Sequence, residues 1–95
     1  MAYLLSTRAE LDLEEIWLYT RSTWSLAQAD KYLSDLLTAM HELGDGTRPS
    51  KRWARRGDVF RATVGRHDIY FLAREEGDIL IIRVLHQAMD PSRHL

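Results

Sequence analysis

The sequence predicts an α+β domain in which a helical hairpin covers one face of a mostly antiparallel, four-stranded sheet. Two observations lead to this fold class. Apolar residues recur at helical spacing as far as Leu43, and from Asp58 onward the period changes to two. Residues 79–85 are an almost unbroken, β-branched apolar run, which is typical of a strand inside a sheet.

Length and composition limit what else the chain contains. Its 95 residues predict one domain, residues 1–95. The absence of cysteine excludes disulfides, thiolate metal sites and a cysteine nucleophile. No apolar run is long enough to span a membrane, and the N-terminal residues lack the basic flank of a signal peptide. We therefore expect a cytoplasmic protein with no cofactor, no bound metal and no membrane partner.

Each predicted helix has a start signal and an apolar stripe. After a short first strand, Ser6 or Thr7 caps a helix that is expected to end near Arg21. Ser25 caps a second helix, which continues to the glycines that follow Leu43. The residues expected to face the sheet are Leu13, Ile16, Leu33, Leu36, Met40 and Leu43. Because the link is short, the two helices form an antiparallel hairpin.

The second half of the chain predicts three strands in a meander. Residues 44–57 are expected to form an ordered loop, because glycine, proline and basic residues break the pattern there. Strands at residues 58–64 and 67–74 follow, joined by a tight turn, and a hairpin turn leads into residues 79–85. We expect the sheet order 1-4-3-2, with the last strand inside the sheet and antiparallel to the first.

Arg83 interrupts the apolar last strand. Alternation places Ile79, Ile81, Arg83 and Leu85 on one face, and Leu80, Ile82 and Val84 on the face that packs on the helices. A guanidinium is rarely buried without a partner, so we expect the face with Arg83 to be exposed. The apolar residues beside Arg83 would then form a surface for a partner protein.

Charge is balanced overall but unevenly distributed. The net charge is −1, but residues 1–43 carry −4 and residues 44–95 carry +3. The basic residues concentrate around Trp53 and are Arg48, Lys51, Arg52, Arg55 and Arg56. Such a cluster suits phosphates or an acidic protein, and it is equally typical of a solvated loop that a half-buried tryptophan anchors.

The most specific motif closes the chain: Val84-Leu85-His86, then Met89-Asp90 and Arg93-His94-Leu95. The earlier matching residues are Tyr3-Leu4-Leu5-Ser6, Asp12-Leu13-Glu14-Glu15-Ile16, Gln28-Ala29 with Tyr32, Phe60-Arg61 and His67-Asp68-Ile69. In this order and spacing they cover nearly the whole chain, which resembles the ParE branch of the RelE/ParE toxin superfamily of bacterial toxin–antitoxin modules. The resemblance implies the same β-α-α-β-β-β order.

The resemblance also implies a function. Toxins of this branch are neutralised by a dedicated ParD-like antitoxin in a hetero-oligomer, and they poison DNA gyrase without being catalysts. The related RelE-like branch cleaves mRNA on the ribosome, and for that chemistry Arg61 and Arg83 would stabilise the phosphate while His86 acts as acid or base. A near-neutral protein is a poor match for ribosomal RNA, so gyrase poisoning is favoured. A toxin fold kept only as a binding module is the third alternative.

Two sets of contact residues follow. The expected target-binding residues are Arg52, Arg56, Arg61, Arg83, His86, Met89, Asp90, Arg93 and His94. The antitoxin is expected to bind the open sheet face and the groove of the helices, through Trp17, Ile79, Ile81, Arg83 and Leu85. The polar tail has a second interpretation, in which Met89 and Leu95 hold it against the helices. His86 and His94 have the chemistry of metal ligands, but exposed histidines near a terminus are the more common case. We expect no sequence-specific binding of nucleic acid by the toxin alone.

Overall fold

The fold has two layers, a helical hairpin and a five-stranded sheet. A computed structural model describes residues 2–95 of the chain. Its elements are β1 (Tyr3–Leu5), α1 (Thr7–Thr23), α2 (Leu26–Asp45), β2 (Lys51–Trp53), β3 (Arg56–Val64), β4 (His67–Ala73), β5 (Ile79–His86) and a C-terminal 3-10 turn (Pro91–Arg93). None of the helices in this part of the chain is both long and apolar enough to cross a bilayer.

The sheet order is β1-β5-β4-β3-β2. The α+β class and the position of the last strand beside the first are therefore confirmed. Two details of the prediction are wrong. Strand β2 lies within residues 44–57, which were expected to form a loop, and β1 is parallel to β5 rather than antiparallel. Both errors have one cause. Strand β2 has three residues, too few to show a period of two in the sequence. This additional strand reverses the direction of the chain once more, which makes β5 parallel to β1.

Serine caps begin both helices, as the sequence predicts. Ser6 Oγ accepts the backbone N–H three residues later at 3.0 Å and donates to the carbonyl of Ile82 at 2.9 Å, which ties the start of α1 to β5. Helix α1 continues to Thr23, slightly beyond the expected end. Ser25 caps α2 in the same way, and Gly46, at φ 76°, ends it in the left-handed conformation that glycine adopts most readily.

The main hydrophobic core lies between the hairpin and one face of the sheet. Its buried members are Ala9, Leu13, Leu36, Ala39, Met40, Leu43, Ala62, Val64, Ile69, Phe71, Ile79, Ile81 and Val84. Ile16 and Leu33 pack against this cluster as partly buried side chains. The helical stripe predicted from apolar spacing is therefore confirmed.

The predicted faces of β5 are reversed over its first half. Ile79 and Ile81 were expected on the exposed face, but they are 7% and 0% exposed and belong to the core. Leu80 and Ile82 were expected in the core, but they are half-buried and lie outside that cluster. Alternation separates the two sets correctly, but both sets are apolar, so the pattern does not show which one meets the helices.

A β-bulge changes the alternation in the middle of β5. Neighbouring residues of β4 pair with Ile81 and Arg83, which leaves Ile82 without a partner on that strand. The bulge shifts the alternation by one residue. Val84 is therefore in the core, as predicted, although Ile79 and Ile81 are there too.

A second, smaller cluster covers part of the opposite sheet face. Its buried members are Trp53, Val59, Tyr70 and Leu85, and Leu72, Ile82 and Leu95 pack against them. The rings of Trp53 and Tyr70 meet edge to face, with 5.8 Å between centroids. Leu85, which was expected to be exposed, is 2% exposed. At this end the face is closed by Trp53 and by Leu95 of the C-terminal tail, so the expectation of an open face is wrong here.

We predict that Leu36→Ala lowers the free energy of unfolding by about 2–4 kcal/mol, because Leu36 is 0% exposed and its removal leaves a cavity. Leu11→Ala is the matched control, since Leu11 is also on a helix but is 41% exposed. Urea denaturation of both variants measures the difference. Equal stability of the two variants would show that the core is placed incorrectly.

Candidate functional site

A buried ion pair joins helix α1 to strand β5. Arg83 donates from Nε and Nη2 to the two carboxylate oxygens of Asp12, at 2.8 and 3.0 Å. The backbone N–H of Val84 donates to the same carboxylate at 2.9 Å, and Arg83 Nη1 donates to the carbonyl of His94 at 2.9 Å. These hydrogen bonds offset the cost of removing both charges from water.

This ion pair contradicts the expectation that Arg83 lies on an exposed face. Arg83 is 8% exposed and Asp12 is 5% exposed. Hydrogen bonding to Asp12 raises the pKa of Arg83 further above its ordinary value. The sequence shows the charge in the strand but not its partner, which lies 71 residues away. In this conformation Arg83 links α1, β5 and the tail, and its guanidinium is not free to contact another molecule.

A groove of about 590 Å³ lies beside the ion pair, and we call it the α1 groove. Helix α1 forms one wall, with Ile16 and Tyr19 among its residues. The beginning of α2, the turn between β3 and β4, the end of β5 and the tail complete it. The groove is therefore built by segments that are distant in sequence, and the Asp12–Arg83 pair holds two of them together.

Large apolar side chains at the α1 groove are exposed to solvent. Tyr19 is 68% exposed, Trp24 is 72% exposed and Met89 is 45% exposed. Ile16 and the buried Leu85 also line the groove. A concave surface with exposed aromatic residues is typical of a site for a partner protein. The sequence predicted a partner surface on the sheet face with Arg83 and in the groove of the helices, and the exposed apolar surface lies in the groove.

Polar side chains gather where the α1 groove meets the turn between β3 and β4. The Tyr32 hydroxyl lies 2.6 Å from His67 Nδ1 and accepts the backbone N–H of Arg66 at 3.2 Å. The rings of His67 and His86 meet edge to face, with 5.3 Å between centroids. Gly65 makes this approach possible, since a Cβ there would lie 2.8 Å from the Tyr32 ring.

Burial determines the protonation of this cluster. Removal from water, together with the nearby His86, lowers the pKa of His67 from 6.5 to about 4. Burial also raises the pKa of Tyr32 above its ordinary value. Near neutral pH, His67 and Tyr32 are therefore both uncharged. Their contact is a hydrogen bond between neutral groups, so neither His67 nor Tyr32 contributes a charge to this end of the groove.

The second concentration of charge is on strands β2 and β3. Lys51 and Arg61 are directly opposite each other across the two strands, and within residues 2–95 neither forms an ion pair. Burial raises the pKa of Tyr70, and the Arg61 guanidinium beside its hydroxyl opposes that rise. Like charges opposite each other destabilise a sheet, so this pair has a cost within the chain.

The predicted target-binding residues divide into three groups. Arg52, Arg56 and Arg61 are on β2 and β3, where Arg52 donates to the carbonyl of Gly57 and Arg56 pairs with Asp58. His86, Met89 and His94 line the α1 groove together with the buried Arg83. Asp90 caps the C-terminal 3-10 turn, and the adjacent Arg93 side chain is 83% exposed. The structure therefore does not bring these residues into one site.

The predicted antitoxin-binding residues are also dispersed. Ile79, Ile81, Arg83 and Leu85 are buried, so they do not form the exposed surface that was expected of them. Trp17 joins the two helices instead, because its indole N–H donates to Asp30 at 3.0 Å. Tyr32, Arg66 and His67 were not among the predicted site residues. Sequence spacing gives no signal for them, since their proximity depends on tertiary packing.

The three residues considered for RNA cleavage do not assemble. Arg83 is occupied by Asp12, and His86 lies next to His67 in the α1 groove. Arg61 is beside Tyr70, in the cluster on the opposite sheet face. Residues 2–95 also contain no group of three or more His, Cys, Asp or Glu side chains that could hold a metal ion.

Comparison with known proteins identifies the family. Residues 3–91 match the family model described as ParE toxin of type II toxin-antitoxin system, parDE. The chain belongs to the ParE toxin family. Toxin ParE1 of Mycobacterium tuberculosis (strain H37Rv) is 38% identical over 98 residues, which cover 98% of this chain and 96% of that protein. Toxin ParE of Escherichia coli is 33% identical over 90 residues, which cover 94% and 87% of the two chains.

A third relative and a solved structure agree with this ParE assignment. Toxin ParE1 of Caulobacter vibrioides is 32% identical over 96 residues, covering 98% of this chain and 96% of that protein. A solved chain titled "Chromosomal ParDE TA system from P. aeruginosa" matches with a TM-score of 0.77, covering 90% of this chain and 95% of its own length. At 18% identity that likeness concerns the fold alone. The ParE fold predicted from the sequence is thus confirmed.

We predict that His67 makes stability depend on pH between about 6.5 and about 4. Because folding lowers its pKa to about 4, the unfolded chain binds a proton first as the pH falls, and stability is lost across this range. With a discount for partial exposure, the loss is about 1–2 kcal/mol. Urea denaturation of wild type and His67→Gln at pH 7 and pH 4.5 isolates this difference. A His67 midpoint near 6.5 in an NMR titration would contradict the prediction.

Proposed function

We propose that this ParE family member is the toxin of a type II toxin–antitoxin pair, that a ParD-like antitoxin neutralises it in a hetero-oligomer, and that it acts in the cytoplasm by poisoning DNA gyrase. The single observation that supports a protein partner best is the α1 groove with its exposed Tyr19, Trp24 and Met89. Membership of the ParE family supports the kind of partner.

The antitoxin contact belongs in the α1 groove rather than on the sheet face considered from the sequence. An amphipathic segment can place apolar side chains against Ile16, Tyr19 and Trp24, and it excludes water from them on binding. A segment that folds as it binds can follow such a groove closely.

The contact with gyrase, or with the DNA that gyrase holds, belongs on β2 and β3. Lys51 and Arg61 face each other without an acidic partner within residues 2–95, and an anionic surface would relieve their repulsion. Arg52 and Arg56 lie on the same strands, but the Arg52 guanidinium covers the Phe60 ring and Arg56 is paired with Asp58, so Lys51 and Arg61 carry the proposed contact. These cations would bind a negatively charged surface by electrostatic attraction, which requires no acid–base group, metal or cofactor.

The same geometry favours a non-catalytic toxin over the ribonuclease alternative. Phosphodiester cleavage needs an acid–base group and cations around one phosphate. In this fold Arg83 is engaged in a structural ion pair. Arg61 lies beside Tyr70, and His86 lies beside His67 on the opposite face of the sheet. We therefore propose that the chain acts by binding, and we do not assign catalytic residues.

We predict that Lys51→Glu weakens gyrase inhibition about 10-fold while leaving the fold intact. The new carboxylate lies opposite Arg61, so the cross-strand pair becomes favourable as the cationic surface is lost. Lys31→Glu is the control, with the same change of charge on the exposed side of α2. Supercoiling and DNA-cleavage assays with gyrase and plasmid measure the effect, and thermal unfolding checks the fold.

A parallel incubation with translating ribosomes tests the alternative function. The proposal requires gyrase inhibition in the first reaction and intact mRNA in the second. Ribosome-dependent cuts in mRNA that disappear with His86→Gln, together with normal gyrase activity, would contradict the proposal. Equal gyrase inhibition by wild type and Lys51→Glu would contradict only the location of the contact.

A further inference from the structure

Solvent-exposed hydrogen-bond donors that have no acceptor within residues 2–95 gather at the Tyr32 end of the α1 groove. The side chains of Arg66 and Gln28 line this end, and within residues 2–95 Arg66 forms no ion pair. His86 Nδ1 accepts the backbone N–H of Ala88 at 3.0 Å. In the neutral ring the proton is therefore on Nε2, and His86 is a further donor.

Within residues 2–95, no carboxylate satisfies these donors. Two acidic residues of this described part line the α1 groove, Asp12 and Glu15. Asp12 is saturated by Arg83 and by the backbone of β5, and the negative charge of Glu15 also raises the pKa of Arg83. Among the described residues, the positive charge of Arg66 at the Tyr32 end therefore has no ion-pair partner. A bound anion would replace water on these donors with charge-assisted hydrogen bonds.

The scaffold around this end is fixed rather than adaptable. The Tyr32 hydroxyl is within hydrogen-bond distance of three groups: the carbonyl of Val64 at 3.1 Å, the ring of His67 and the backbone of Arg66. Gly65 has a φ of 57° and lies so close to the Tyr32 ring that a Cβ atom there would clash with it. The backbone N–H after His86 also donates to the carbonyl of Arg66 at 3.0 Å, which joins β5 to the same turn. Such support holds donors in place before a ligand arrives.

We propose that this end of the α1 groove, formed by Gln28, Tyr32, Arg66 and His86, is a subsite for one carboxylate carried by an apolar segment of the antitoxin. The proposal rests on the proposed function and adds a specific contact that sets the register of that segment. The subsite is continuous with the apolar surface of Tyr19 and Trp24, so its ligand carries apolar side chains beside the anion. A polyanion is disfavoured, because residues 1–43, which include α1, carry a net charge of −4.

Charge reversal in the toxin–antitoxin complex is the first test. We expect Arg66→Glu to raise the Kd of the antitoxin encoded beside this chain by about 10- to 100-fold, the range for loss of a hydrogen bond to a charged group. Lys31→Glu makes an equal change of charge at an exposed residue that does not line the groove, and it should change the Kd by less than about 3-fold. One Asp→Lys or Glu→Lys change in the antitoxin should restore binding to Arg66→Glu. Equal binding of wild type and Arg66→Glu would overturn the subsite and leave the proposed function intact.

A small probe tests the subsite without the antitoxin. N-acetylleucine, which carries one carboxylate beside an apolar side chain, is titrated at constant ionic strength and should shift the NMR signals of His86 in wild type but not in Arg66→Gln, whose fold is checked by circular dichroism. Inorganic phosphate is the comparison. Larger shifts with phosphate, or no shifts with either anion, would overturn the carboxylate assignment. If the probe binds and the antitoxin does not, the assignment of the subsite to the antitoxin fails together with the proposed function.

Discussion

The ion pair between Asp12 and Arg83 is the constraint on which the rest of the structure depends. Removing two charges from water destabilises the folded state unless the charges are paired and hydrogen-bonded. Asp12 receives three donors, and Arg83 reaches the carbonyl of His94 with its remaining arm. One interaction therefore fixes the distance between α1 and β5 and also holds the C-terminal tail. The β-bulge at Ile82 belongs to the same arrangement, because it changes the direction of the side chains where Arg83 leaves the strand.

This arrangement separates two surfaces, whereas the sequence placed Arg83 in both sets of expected contact residues. The α1 groove is on the helical side and combines exposed aromatic rings with a polar end. The cationic strands β2 and β3 form the far edge of the sheet, and Lys51 and Arg61 repel each other there. A chain built in this way can present one surface to an apolar partner and another to an anionic one. The buried Arg83 is part of the frame between these surfaces and not a contact on either of them.

The sequence was sufficient for the features that depend on local chemistry. Caps at Ser6 and Ser25, the helical stripe and the apolar last strand follow from spacing and composition. The faces of β5 were not predictable, because both are apolar and a bulge leaves no mark in the pattern. The partner of Arg83 is distant in the chain, and the meeting of Tyr32 with His67 depends on how α2 crosses the sheet. Contacts between residues this far apart in the chain cannot be predicted from composition or local spacing.

A double-mutant cycle on the buried ion pair tests the central claim most directly. Asp12→Ala should lower the free energy of unfolding by about 3–5 kcal/mol, because it leaves the Arg83 charge buried without its partner. Adding Arg83→Met should recover part of that loss and give a coupling energy of about 2–3 kcal/mol. Sucrose, added equally to all four proteins, keeps the weakest variant folded for urea denaturation. Additive losses, or unchanged stability in Arg83→Met with loss of toxicity, would contradict the claim that Arg83 is a structural link.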